Sequence, residues 1–165
     1  MGRVECCGGC GGEVVPCDGP RHAYMPAHPG CWATMCALED DRHALMGTGA
    51  VTLVMDLVDA YAAQHPANPD RRNRQSVAIH LMSLCAGIEH GLDGAGRRSR
   101  IGGWAHRDYP LLQPWPSGYA VTVADVVASP VERRPEVIGR MATATWVAWS
   151  AHHDTVRSWL ASSWR

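Results

Sequence analysis

Lysine and phenylalanine are absent from this 165-residue chain, and all 15 basic residues are arginine. Alongside abundant alanine and glycine, these gaps read as the codon bias of a GC-rich bacterial genome and carry little functional information. Other absences exclude more. The formal net charge is -1, so there is no broad positive field, and this disfavours nucleic acid as a partner. No run approaches the ~18 apolar residues of a membrane helix, and the N-terminus lacks the apolar core of a signal peptide. The expected location is the cytoplasm, with no membrane partner. The length suits a single domain that buries about 70% of its unfolded surface.

Set against these gaps is a surplus of seven Cys and nine His. Cys6, Cys7 and Cys10 fall in the first ten residues. An odd cysteine count without a secretion signal argues against a disulfide framework and for metal ligation or free thiols. Residues 1–30 are rich in Gly, Pro and Cys and show no helical period. Such a segment buries little apolar surface and needs a staple to become ordered.

Beyond residue 30 the pattern turns helical. Trp32, Met35, Cys36 and Leu38 make one stripe, with Gly47 and Gly49 punctuating its end. Val51, Val54, Val58, Tyr61 and His65 mark a second helix over about 50–65, stopped by Pro66. Val77, His80, Leu81, Leu84 and Ile88 mark a third over about 73–90, with Gly91 as its C-terminal cap. Residues 91–120 read as a long loop. Thr122 reads as the N-cap of a short turn through Val127. One last helix is expected from near Pro135 to about Trp164, with Trp146, Trp149, His153, Val156 and Leu160 on one face. The fold class that follows is mainly α: a bundle of about four helices (31–165) carrying an N-terminal Cys-rich metal knuckle (1–30).

Cys7-Gly8-Gly9-Cys10-Gly11 is the sharpest local motif. Two thiolates at this spacing can hold one tetrahedral ion from a tight turn, and zinc is the expected ion, with other transition metals as alternatives. A second pair of ligands must complete the site. Cys31, at a helix N-terminus where the dipole favours a thiolate, ranks first, followed by His22, then Cys17, then His28. The expected metal set is therefore Cys7, Cys10, His22 and Cys31.

His65, His80 and His153 each fall on the apolar face of a different predicted helix. Imidazoles converging inside a bundle are a usual way to hold a catalytic metal. If the first two helices are antiparallel neighbours, Cys31 and His65 lie at the same end, with His80 about 10 Å deeper. Asp59 either lies on a solvated face or, in its apolar setting, needs a partner, for which Arg157 or a metal-bound histidine would serve. Asp59 and Tyr61 can act as acid or base, or orient a metal ligand from behind. His43, His90 and His106 read as surface or loop residues. The arginine groups Arg71, Arg72, Arg74 and Arg97, Arg98, Arg100 read as solvated turns, with anion binding as the alternative.

Taken together, Cys7-x-x-Cys10-Gly11, Asp18-Gly19-Pro20-x-His22-x-Tyr24 and Pro29-Gly30-Cys31-Trp32 resemble an uncharacterised bacterial family of small proteins. Gln64-His65-Pro66 and His153-x-x-Val156-Arg157-x-Trp159 extend the resemblance. A domain of unknown function supplies no activity. The resemblance does imply that Cys7, Cys10, His22, Cys31, His65, His80 and His153 form one set. Two functions follow as expectations. One is a small metalloenzyme, with Asp59, Tyr61, His65, His80 and His153 as catalytic residues and a metal acting as Lewis acid on a small-molecule substrate. The other is a non-catalytic binding or regulatory protein with one structural zinc.

Overall fold

The structure is a computed structural model describing residues 3–40, 50–66 and 69–164. Its glycine-rich N-terminal segment makes a small antiparallel hairpin of β1 (Glu5–Cys6) and β2 (Glu13–Val14), pairing Glu5 with Val14 and Cys6 with Glu13. The knuckle is the turn of this hairpin. Gly11 turns the chain back with φ of 79°, a left-handed conformation that residues bearing a Cβ rarely adopt.

Helices dominate the rest. They are α1 (Pro29–Asp40), α2 (Ala50–Ala63), α3 (Arg71–Ile88), α4 (Gly94–Ala105), α5 (Val123–Ala128), α6 (Arg134–Ala148) and α7 (His153–Ser163). The first three fall where the apolar period places them. Asp70 caps α3, its carboxylate accepting from the Arg72 amide at 2.8 Å. Gly91, with φ of 66°, lets the chain return its Gly91 and Leu92 amides to Gly87 O and Ala86 O. Thr122 precedes α5 as expected, and the Asp125 carboxylate accepts from its amide and hydroxyl. Gly47, Gly49 and His43 lie outside the described residues.

Two expectations are corrected. Residues 91–120 are not all loop, because α4 lies within them. Its sequence, with Gly94, Gly96, Gly102 and Gly103, lacks both helix propensity and an apolar stripe. Tertiary contacts supply what propensity does not: Arg97 and Trp104 are buried, and Asp93 caps the first turn by accepting from Gly96 N at 2.7 Å. The last helix is not continuous either. It breaks at Trp149 (φ -87°, ψ 14°) into α6 and α7, joined by a 3-10 turn over Ser150–His152. Trp149 is fully buried and donates its indole N–H to Ala63 O at 3.1 Å. That anchor to the end of α2 holds the chain where the helix breaks.

Helix α2 is central, packing against α3, α4 and α6. The principal partners of α1 are α5 and β2, so α1 is not the up-down neighbour of α2 that the simplest bundle would place there. One apolar cluster joins Cys7, Cys10, Val14 and Cys31 to Leu57 and Ile138; the other joins Leu81, Leu84, Trp104, Trp146 and Leu160. The hairpin thus belongs to the same core as the helices it rests on.

Candidate metal centre

Cys7 and Cys10 come from the hairpin turn, Cys31 from the first turn of α1, and His65 from just beyond the end of α2. Their four donor atoms lie within 4.8 Å of one another, and all four residues are buried. Cys10 Sγ is 3.8 Å from Cys31 Sγ. His65 Nε2 is 3.4 Å from Cys7 Sγ and 3.5 Å from Cys31 Sγ. A tetrahedral zinc with bonds of about 2.3 Å to sulfur and about 2.0–2.1 Å to nitrogen would set edges of about 3.8 Å between sulfurs and about 3.6 Å between sulfur and nitrogen. These three separations stand close to those edges. Every cysteine among the described residues is a free thiol. The cluster is compatible with a metal such as zinc.

The surroundings are arranged to match. His65 Nδ1–H donates to Tyr61 O at 2.7 Å, which leaves the Nε2 lone pair facing the sulfurs. Amides donate to two of those sulfurs: His28 N to Cys7 Sγ and Gly12 N to Cys10 Sγ, each at 3.4 Å. The sulfurs compete for protons among themselves. Cys7 is driven far below the usual thiol range, first by its contact with Cys10 and then by Cys31, while Cys10 and then Cys7 push Cys31 far above it. Burial opposes charging His65, yet the Cys10 and Cys7 sulfurs raise its pKa to about 9. A cation would take over the role of those protons. Gly9 lies against the His65 ring so tightly that a Cβ there would stand 2.3 Å from His65 Cδ2.

Other expected site residues lie elsewhere. His22 is outside the four-donor cluster. Its Nδ1 accepts from the amides of Tyr24 and Met25 at 3.3 and 3.1 Å, and its ring meets Trp32 edge-on. His80 and His153 do not converge on His65. His80 Nδ1–H donates to Asp59 Oδ1 at 2.7 Å. His153 stacks on Trp146 and donates from Nε2 to Trp146 O at 2.8 Å, a carbonyl beside the helix break that also accepts the Trp149 amide. Asp59 is wholly buried, and neither Arg157 nor the metal cluster is its partner. It bonds to His80, to Ser83 Oγ and to Arg97, which also reaches Asp56 at 2.7 Å. In the sequence Arg97 reads as part of a solvated or anion-binding turn, because nothing local distinguishes it from Arg98 and Arg100. Tyr61 is buried beside the cluster, its ring 4.3 Å from that of His65, and its Oη has no hydrogen-bond partner among the described residues.

Cys85, Glu89 and His90 form a second group of potential ligands. Glu89 is already committed to Arg157, at 2.8 Å through two nitrogens, and to Trp146 Nε1 at 3.0 Å. Burial and then Glu89 push the Cys85 thiol up to about 12, so it keeps its proton.

A family profile matches residues 5–150, a span that takes in all four residues of the cluster. The chain belongs to the family of unknown function DUF5946. No match was found among curated proteins or among solved structures. DUF5946 therefore names the relatives without assigning them an activity, and the buried Cys3His cluster is the feature on which a function can be argued. No helix among the described residues is long and apolar enough to cross a membrane.

Proposed function

We propose that the protein binds one zinc ion through Cys7, Cys10, Cys31 and His65, and that this ion is structural. The observation that carries the reading is the closure of the donor set: four protein donors within 4.8 Å of one another, all buried. A catalytic zinc keeps a position open for water or substrate, whereas structural zinc is fully enclosed by protein donors. The ion would tie the hairpin to the start of α1 and the end of α2, three pieces of chain that otherwise share few regular backbone contacts. This favours a binding or regulatory protein over a Lewis-acid metalloenzyme.

Metal analysis of the purified protein tests the reading. One zinc per chain is expected, lost on His65→Ala and retained on His22→Ala. A metal-free protein, or one that keeps its zinc on His65→Ala, overturns it.

A second reading has one observation in its favour. Asp59 fixes His80 through Nδ1, and His80 Nε2 has no partner among the described residues. A histidine oriented in this way can serve as a general base without any metal. It requires a hydrolytic or proton-transfer activity on a small molecule that His80→Gln abolishes while zinc content stays intact.

A further inference from the structure

We propose that Tyr61 is a positioning residue for the metal, its hydroxyl donating to the sulfur of metal-bound Cys31 while its carbonyl oxygen holds the His65 ring. The inference rests on the zinc reading above and adds a residue that touches two of the four ligands from behind.

The donors around the cluster are distributed unevenly. Cys7 receives the His28 amide and Cys10 receives the Gly12 amide. Cys31 is the cluster sulfur that receives no N–H from outside the cluster among the described residues. Tyr61 has the complementary deficit. Its side chain is 1% exposed, and its Oη is a buried polar atom without a partner among the described residues. The phenol ring sits between the His65 ring and that of Trp32, the residue after Cys31, with centroids 4.3 and 6.0 Å away. After burial itself, the Cys31 sulfur acts on the phenol most strongly, ahead of Cys7 and Cys10.

Leaving a buried hydroxyl unpaired is unfavourable, and so is leaving a metal-bound thiolate without a donor. A thiolate on a cation keeps lone pairs and excess charge, so it accepts a hydrogen bond better than a neutral thiol does. A hydrogen bond from the phenol to the thiolate would satisfy both groups. The backbone half of the arrangement is already formed, because His65 Nδ1–H reaches Tyr61 O at 2.7 Å. One residue would then set the direction of the imidazole and the charge on the thiolate opposite it.

Cobalt(II) provides the test, because its absorption reports thiolate ligation directly. Wild-type protein should take up one cobalt per chain. Tyr61→Phe keeps the ring and loses only the hydroxyl. It should bind cobalt roughly 10-fold more weakly or worse and shift the sulfur-to-cobalt charge-transfer band. It should also leave the melting temperature of the metal-free protein unchanged while reducing the rise on loading. Unchanged affinity and spectrum overturn the proposal, as does an equal loss of stability in the metal-free and loaded forms. If the variant does not fold, the wild-type hydroxyl proton decides. Slow exchange on cadmium loading supports the bond, and exchange at the rate of a free phenol overturns it. A wild-type chain that takes up no cobalt defeats the zinc reading itself, an outcome distinct from a loaded protein indifferent to Tyr61→Phe.

Discussion

At the scale of single residues, the cluster depends on close approach as much as on ligand chemistry. Gly8 and Gly9 occupy the same turn, yet they are not equivalent. A Cβ on Gly8 would meet nothing within 4 Å, while one on Gly9 would stand 2.3 Å from the His65 ring. Gly9→Ala is therefore expected to cost about 1–3 kcal/mol through overpacking and to weaken metal binding, while Gly8→Ala does neither. Urea unfolding and a metal titration of the two variants check this, and equal behaviour would count against the geometry. Asp59 shows a different economy. It lies in an apolar stretch of α2, so a partner could be expected from the sequence, but the partners come from α3 and α4. Arg97 bridges Asp59 and Asp56 from a helix that carries no apolar signature. A buried charge left without its partner costs several kcal/mol, and that penalty is a strong reason for α4 to dock where it does.

At the scale of elements, the end of α3 is pinned by Glu89. Its carboxylate takes two bonds from Arg157 of α7 and one from the Trp146 indole of α6. The Arg157 bonds, first, and the indole bond hold its pKa down at about 2, against an ordinary value of 4.5. A carboxyl whose pKa is depressed on folding adds stability that is complete above the unfolded value and is lost as pH falls through the folded one. The contribution should therefore be full above about pH 4.5 and disappear toward pH 2. Glu89→Gln should flatten this acid limb in a pH series of thermal unfolding, while a limb of unchanged steepness would show that Glu89 is not its source. The α6–α7 break belongs to the same scale. Periodicity runs through Trp146, Trp149, His153 and Val156 without interruption, which is why the sequence reads as one helix. Burial of Trp149 and its bond to Ala63 O hold the break, and His153 adds a side-chain bond to the Trp146 carbonyl beside it.

At the scale of the whole molecule, the zinc reading makes the N-terminal hairpin conditional on metal. The segment before α1 adds few large apolar side chains to the core; its buried residues are chiefly Cys7 and Cys10 with Val14 and Ala27. Removing the ion with a chelator should expose residues 3–28 to proteolysis while α2, α3 and α6 remain protected. Restoring zinc should reverse this. Loss of the whole fold, or no change in cleavage, would contradict the arrangement. The mainly helical class, the positions of α1, α2 and α3, and the pairing of Cys7 and Cys10 in one turn were legible in the sequence, because each rests on a local period or spacing. So was the meeting of Cys31 with His65 at one end of the helices, although α1 turned out to pack chiefly on α5 and β2. The fourth member of the cluster was not legible. Nothing local separates His22, which accepts two backbone amides, from His65, which faces three sulfurs. The same holds for His80 and His153, whose places on apolar faces look alike in one dimension and lead to an ion pair and a helix end in three. Spacing along a chain specifies which donors can share a turn. Which histidine completes a tetrahedron depends on how separate segments pack, and that is a property of the folded core.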